Sequence, residues 1–334
     1  MISIAFFNNK GGVGKTTLLC NIAASLAKNP DKKTNHKVLV IDADPQCNAS
    51  AYLLPSEKLD DILISGHKNS IDSFFDPIRK GQGYSQNIPA IEVSERFGVD
   101  LIVGDPKLSI REDLLATDWA STVNGEPRGF QTTYAFKELL SRLDDYDFVL
   151  VDLGPSLGAL NRSALLAVDY FLMPLSVDIF SLMAVSNILR SFNTWKNSLE
   201  DALHRYEVRE GSKFTINEEQ IKWDLKFAGF VKQQYRAKKK EGIRQAVVAY
   251  ERISQKQSAE VEVLCSFFGL KSDDAYLGEI PTLSSVIPLS QQAHAPVFDL
   301  GSKDGIVGSG YNQVSEAGSF YHKIADNLLS RVGK

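Results

Sequence analysis

The sequence is poor in cysteine, and its cysteines form no recognisable metal or redox motif. Its 334 residues include three cysteines, Cys20, Cys47 and Cys265, which lie far apart. No C-x-x-C pair is present, so the sequence indicates neither a zinc ribbon nor an iron–sulfur site. An odd number of separated cysteines also argues against a disulfide framework. We therefore expect a protein of the reducing cytosol.

Long apolar runs are also missing, which bears on membrane insertion. No stretch of 18 apolar residues occurs, so no transmembrane helix is expected. The apolar residues 2–7 have no charged segment before them and end at polar residues, which predicts a buried strand and not a signal peptide. A stripe near the end of the sequence is better explained by packing on its own domain than by membrane binding. It consists of Phe320, Ile324, Leu328 and Val332.

Neither sign of charge dominates the whole chain. Lys and Arg number 37 against 41 Asp and Glu, for a net charge of -4, which excludes a histone-like DNA coat. Residues 226–256, however, carry nine cations against two glutamates, a net charge of +7 that leaves −11 for the remainder. Such a segment fits non-specific contact with the DNA backbone, and a solvated basic helix is the alternative. The candidate DNA contacts are Lys238, Lys239, Lys240 and Arg244.

Short apolar runs alternate with helical patterns along the chain. Several runs are continuously apolar, as in parallel strands buried on both faces. The pattern predicts an α/β fold with a doubly wound, mainly parallel sheet flanked by helices. No linker or repeat divides the chain, so we expect a single domain over residues 1–334, with insertions at about 51–97, 105–129 and 200–224. Strands are predicted at 2–7, 37–41, 99–103, 148–152, 170–174, 226–231 and 276–280, and helices at 15–28, 130–143, 159–168, 180–199, 242–268 and 314–332.

The most informative motif lies between the first strand and the first helix. Residues 9–17 read NKGGVGKTT, a glycine-rich loop whose backbone N–H groups cradle phosphates at a helix N-terminus. Lys15 is expected to reach the β- and γ-phosphates and Thr16 to place its hydroxyl on Mg²⁺. The ordinary motif has glycine where Asn9 stands, and the second lysine marks a deviant form. The predicted nucleotide-binding residues are Lys10, Gly11, Gly12, Val13, Gly14, Lys15, Thr16 and Thr17.

Aspartates follow two of the apolar runs. Asp152 ends the run at 148–152, where a carboxylate can hold the waters of a nucleotide-bound Mg²⁺. Asp42 ends the earlier run, and Asp44 follows it beyond the strand end, where a carboxylate can orient an attacking water. The spacing puts Asp42 and Asp44 on one face of an extended strand. Turn formation is the structural alternative for Asp152 and for Asp44.

These segments together resemble the ParA/MinD family of deviant phosphate-loop ATPases. Residues 38–48 are similar to its D-x-D-P-Q-G-N segment, residues 148–158 to its strand-plus-aspartate segment, and residues 280–297 to its late I-P…A…G-x-P-V segment. The D-P-Q form lies closer to ParA-type partition ATPases than to MinD. Two departures stand out: Cys47 replaces a glycine, and Leu153-Gly154 replaces Thr-Pro.

The resemblance implies an ATPase with ATP and Mg²⁺ as cofactors. It assigns catalysis to Lys10, Lys15 and Asp44, with Asp44 directing hydrolysis, and the metal to Thr16, Asp42 and Asp152. Lys10 would cross a two-fold interface to the partner's phosphates, so that ATP joins a homodimer. The resemblance also implies non-specific DNA binding, hydrolysis stimulated by a ParB-like or other partner, and a cytoplasmic protein associated with the nucleoid in its ATP state.

The expected role is partition or positioning of a plasmid, chromosome or other cargo. Two other functions stay open. The chain could be an ATP switch that serves as a positioning or regulatory subunit of another assembly, without DNA partition. It could also be a metabolic ATP-dependent ligase or reductase of the same superfamily, which would need a substrate pocket or cluster cysteines that the sequence does not reveal.

Overall fold

A computed structural model describes residues 1–28, 35–64, 70–176, 178–233, 243–283 and 285–333, without the side chains of 243–254. Lys238, Lys239 and Lys240 lie outside these ranges, and Arg244 lies in a described helix among the side chains left out. The predicted DNA contacts therefore stay a prediction.

Among the described residues eight strands form one mainly parallel sheet, which confirms the predicted fold class and includes all seven predicted strands. Their order across the sheet is β10-β9-β6-β1-β5-β2-β4-β3, and every neighbouring pair is parallel except β3 with β4. Strand β3 and a separate hairpin, β7-β8, were missed by the sequence analysis because they lie at 91–94 and 215–220, inside segments that were interpreted as insertions. The strands are β1 Ile2–Phe6, β2 Val38–Asp42, β3 Ile91–Ser94, β4 Val99–Ile102, β5 Phe148–Asp152, β6 Tyr170–Ser176, β7 Thr215–Ile216, β8 Glu219–Gln220, β9 Lys226–Gln233 and β10 Tyr276–Ile280.

Every predicted helix is present, but the described residues also form helices that were not predicted, at Asn48–Leu53, Ser56–Leu63, Asp72–Arg79, Leu108–Val123, Ser272–Ala275 and Ile287–Gln292. Two predicted helices also differ in extent. The helix predicted at 130–143 is two helices that meet at Tyr134, and the helix predicted at 180–199 continues to Glu210, where Gly211 ends it with a φ of 70°. The helices are α1 Lys15–Ala27, α2 Asn48–Leu53, α3 Ser56–Leu63, α4 Asp72–Arg79, α5 Leu108–Val123, α6 Pro127–Thr133, α7 Ala135–Leu140, α8 Ala159–Ala167, α9 Ile179–Glu210, α10 Ile243–Phe267, α11 Ser272–Ala275, α12 Ile287–Gln292 and α13 Gly310–Val332.

The sheet has a hydrophobic core on each face. Strand β1 shows the alternation: Ile4 and Phe6 pack with α1 and α13, whereas Ala5 and Phe7 pack with helices on the opposite face. The apolar stripe of α13 belongs to the first of these cores, with Ile324, Leu328 and Val332 buried. Within the part of the chain that the structure describes, no helix is long and apolar enough to cross a membrane.

The strand order brings the predicted site residues to one edge. Strand β5 lies between β1 and β2, and in the ladder Asp152 pairs with Phe6 on one side and with Asp42 on the other. The phosphate loop leaves the end of β1 at this same edge. Parallel strands that end together form a crevice at their carboxyl ends, which is where ligands bind in sheets of this kind.

Candidate nucleotide-binding site

The loop between β1 and α1 has the backbone shape that its glycines predict. Gly12 and Gly14 have φ values of 72° and 76°, in the left-handed region that glycine adopts without steric cost. Gly14 is the N-cap of α1, and Lys15 is the first helical residue. The N-terminal N–H groups of α1 therefore point into the loop, as an anion-binding helix terminus requires.

Lys15 is a buried cation beneath this loop. The residue is 7% exposed. Burial lowers the pKa of its ammonium group, and the negative charges of Asp152 and Asp44, which raise the pKa, offset this only in part. Its Nζ donates a hydrogen bond to the main-chain oxygen of Lys10 at 3.3 Å. A lysine kept in a desolvated position gains most from an anionic ligand that neutralises it.

Asp152 lies next to the first turn of α1 and is fully buried. Thr16 Oγ1 donates a hydrogen bond to its Oδ2 at 2.7 Å, while Oδ1 is buried without a hydrogen-bond partner among the described residues. Burial, and next the charge of Asp42, raise the pKa of Asp152. An orphaned buried carboxylate oxygen beside a threonine hydroxyl fits a position where metal-bound waters are held.

Both carboxylate oxygens of Asp42 accept hydrogen bonds from α2 or from the turn before it. Oδ2 accepts hydrogen bonds from the main-chain N and Oγ of Ser50, both at 2.7 Å, and Oδ1 accepts from the N of Asp44 at 3.3 Å. Burial raises the pKa of Asp42 to about 6. These contacts fix the start of α2 against the sheet, and the assignment of Asp42 to Mg²⁺ stays a prediction.

Asp44 is directed towards the phosphate loop and is 6% exposed. Its Oδ1 accepts a hydrogen bond from the N of Gln46 at 3.0 Å, closing the turn that the Asp-Pro sequence predicts. The adjacent main chain is tied to β5, because Ala43 N donates to the oxygen of Asp152 at 3.0 Å. The carboxylate thus stands on a rigid support at the edge of the crevice.

Lys10 makes contacts within its own chain. Its Nζ forms an ion pair with Asp178, the N-cap of α9, and donates to Ser176 Oγ at 2.9 Å and to Ser181 Oγ at 3.5 Å. Burial raises the pKa of Asp178, but hydrogen bonds, first that from Lys10, outweigh this and lower the pKa to about 2. Sequence reasoning had no signal for this pairing, since the two residues lie 168 positions apart.

A cavity of about 460 Å³ joins these residues. Most of its lining comes from the predicted phosphate loop and from Asp44, but Tyr52 of α2 and Gln291 of α12 also face it. The local sequence pattern gave no signal for Tyr52, whereas Gln291 lies in the late segment at 280–297. The described lining residues are Gly11, Gly12, Gly14, Lys15, Thr16, Thr17, Asp44, Gln46, Asn48, Ala51, Tyr52, Pro155 and Gln291.

Beneath the cavity a buried network ties α1 to the C-terminal part of the fold. Asn21 Oδ1 accepts from Val297 N at 2.8 Å, and its Nδ2 donates to the oxygen of Thr17 at 2.9 Å and to Tyr52 Oη at 3.3 Å. Tyr52 Oη also hydrogen-bonds Ser290 Oγ at 2.5 Å. The network positions the α2 and α12 side chains that line the cavity, and the sequence analysis missed it.

Comparison with known proteins places the chain in a family. The AAA_31 family model, an AAA domain, matches residues 1–205. The chromosome partitioning protein ParA of Myxococcus xanthus is 30% identical over 200 residues, which cover 60% of this chain and 61% of that protein. The chain thus spans less than two thirds of that relative's length.

Solved structures show the same fold over most of the chain. Protein DIP2308 of Corynebacterium diphtheriae has a TM-score of 0.66 at 28% identity, covering 88% of this chain and 97% of its own. The structure of pnob8 ParA has a TM-score of 0.59 at 21% identity, covering 99% of this chain and 98% of its own. The chain therefore belongs to the AAA_31 family and is of the ParA/MinD type, with the doubly wound fold of phosphate-loop NTPases.

Proposed function

We propose that the protein is a ParA-type ATPase that dimerises on ATP, binds DNA without sequence preference and positions a cargo. The observation that supports it most is the crevice at the ends of β1, β5 and β2, where Lys15, Thr16, Asp44 and Asp152 meet a glycine loop at a helix N-terminus. Each of these groups matches a role that phosphoryl transfer to water requires: binding phosphates, holding the metal and its waters, or orienting the attacking water. Membership of the ParA-type family supports the same function.

The donor set fits ATP with Mg²⁺. A nucleotide-bound Mg²⁺ keeps several waters and needs few protein ligands besides the phosphate oxygens. Thr16 would supply the hydroxyl, and the orphaned Oδ1 of Asp152 would hold a metal-bound water. When bound, Mg²⁺ neutralises the developing charge on the phosphates, while Lys15 holds them in place.

Asp44 is the group best placed to act on the attacking water. It lines the cavity, and the main chain directly before it is held by the hydrogen bond from Ala43 N to the oxygen of Asp152. A carboxylate at this edge accepts a hydrogen bond from water and orients it towards the terminal phosphate. Removing Asp44 should therefore slow hydrolysis while the phosphate cradle still binds ATP.

Lys10 would serve the partner's nucleotide in the dimer. Its ion pair with Asp178 and its hydrogen bond to Ser176 hold it within its own chain. Crossing to a second copy therefore requires these contacts to break, and the partner's phosphates would replace Asp178 as the anion. One charge-assisted contact would replace another, so the free-energy difference between the two positions of Lys10 would be small. A small difference suits a reversible switch.

DNA binding and partner-stimulated release complete the proposal. DNA binding is supported by the net positive charge of residues 226–256 and by the ParA-type family. A dimer would present any basic patch twice, which would strengthen binding to DNA. Cargo movement would follow from cycles of ATP-state binding to the nucleoid and hydrolysis triggered by a ParB-like or other partner.

The test compares wild type with Asp44→Ala by sedimentation and by DNA binding. With ATP and Mg²⁺ the variant should accumulate as a dimer, with turnover reduced at least about tenfold, and it should bind arbitrary duplex DNA with a steep salt dependence. Wild type with ADP is the matched control and should stay monomeric and unbound. A variant with normal turnover would remove Asp44 from hydrolysis, and no ATP-dependent DNA binding would favour a regulatory switch over partition.

A further inference from the structure

Gly154 follows β5 by two residues, in the loop that leads to α8, and it is buried. A Cβ atom built on Gly154 would lie 3.1 Å from Asp44 Oδ1 and 3.3 Å from Asp44 Cγ. Both separations are shorter than ordinary van der Waals contact, so the Asp44 carboxylate rests directly against the Gly154 backbone. The missing side chain at this position leaves the space that the carboxylate occupies.

The main chain on both sides of this contact is held in place. Ala43 N donates to the oxygen of Asp152 at 3.0 Å, directly before Asp44. The oxygen of Gly154 accepts a hydrogen bond from Asn161 Nδ2 at 2.7 Å, and Asn161 is itself buried. A methyl group at position 154 would therefore displace the carboxylate of Asp44 more readily than either backbone.

The atom that a methyl group at position 154 would displace also fixes the orientation of the Asp44 carboxylate. Asp44 Oδ1, the atom nearest the added methyl group, is also the acceptor of the hydrogen bond from Gln46 N. The ParA/MinD pattern has a proline, which carries a Cβ, where Gly154 stands, so this close approach of Asp44 to a bare backbone is a feature of this chain and not of the pattern. We propose that Gly154 is a positioning residue for Asp44, an inference that rests on the proposed role of Asp44 in hydrolysis.

A double-mutant cycle on ATP turnover tests the proposal. Gly154→Ala should lower kcat about tenfold, because a small misplacement of a water-orienting group is costly, and it should leave ATP affinity and KM unchanged. Added to Asp44→Ala, the same change should have no further effect on the residual turnover. Gly301→Ala is the matched control with wild-type kcat, since Gly301 has open space around it and an extended φ of −134°.

The outcomes separate this inference from the proposed function. Wild-type kcat in Gly154→Ala, or an equal loss in the presence and absence of Asp44, would overturn the positioning role alone. Wild-type kcat in Asp44→Ala would instead overturn the hydrolytic role of Asp44, and the inference with it. Unchanged ATP affinity in Gly154→Ala shows that the variant is folded, and Gly154→Ser supplies a second substitution with a similarly small side chain.

Discussion

Helix α1 contacts two buried polar clusters that differ in how well their groups are paired. The phosphate cluster, at its N-terminus, contains Lys15, Thr16 and Asp152, and it leaves Asp152 Oδ1 without a partner among the described residues. The Asn21 cluster, one to two turns further along, uses both hydrogens of the Asn21 amide and its oxygen. Lys15, Asp152 and Asn21 are all buried and Thr16 is half-buried, so exposure alone does not explain the difference.

The difference in hydrogen-bond pairing distinguishes residues that bind a ligand from residues that stabilise the fold. Unpaired buried polar groups destabilise a protein, and burying charges costs more still. In the phosphate cluster the unpaired oxygen of Asp152 lies beside the cavity lined by Lys15 and Thr16, so the proposed metal–nucleotide complex would supply the missing partner. A cluster whose groups are all paired holds elements together, as Asn21 joins α1 to Val297 in the C-terminal part of the chain.

The comparison is tested most strongly at Lys15. Lys15→Ala should weaken ATP binding at least about 100-fold, because a charge-assisted contact to phosphate is lost. The unfolding free energy of the nucleotide-free protein should not fall, since burial already disfavours the charged lysine. Calorimetric titration and urea unfolding measure the two effects, with Lys271→Ala, an exposed lysine, as the control. Wild-type ATP affinity would contradict the assignment of the phosphate loop.

The opposite response is expected in the Asn21 cluster. Asn21→Ala should lower the unfolding free energy by about 2 kcal/mol, because Val297 N and the Thr17 oxygen lose a buried partner. The control is Asn193→Ala on the exposed face of α9, where the asparagine bonds one carbonyl of its own helix and the change should stay within about 0.5 kcal/mol. Equal effects of the two substitutions in urea unfolding would show that the buried network is not structural.

These two clusters also show what the sequence could predict. The phosphate loop and the aspartates at the strand ends were found because each is signalled by its immediate neighbours in the chain, and the parallel sheet then places them together. The contact of Asn21 with Tyr52 spans 31 positions, and that of Tyr52 with Ser290 spans 238. No local periodicity encodes such pairs, which also explains why the partner of Lys10 was missed, 168 positions away.

A smaller effect is expected at two residues other than glycine that have a positive φ. Cys47, near the phosphate cluster, and His294, near the Asn21 cluster, have φ values of 53° and 46°, which are strained for residues with a Cβ. His294→Gly should raise the unfolding free energy by about 1 kcal/mol. Cys47→Gly should gain less, because its buried thiol packs against the structure.

Thermal or urea unfolding of both variants measures these changes. Each variant serves as the control for the other, because both substitutions remove the same kind of backbone strain but differ in the side-chain packing that is lost. A decrease for His294→Gly would show that its side chain, which hydrogen-bonds the oxygen of Tyr52 at 3.4 Å, contributes more than the backbone strain costs.

The most direct test of the account is ATP binding by the wild-type protein with and without Mg²⁺. The account holds that the unpaired oxygen of Asp152 and the buried charge of Lys15 bind a metal–nucleotide complex. Calorimetric titration should then show saturable binding of about one ATP per chain, and the affinity should weaken at least about tenfold when Mg²⁺ is chelated. Absence of saturable binding, or the same affinity with and without the metal, would contradict it.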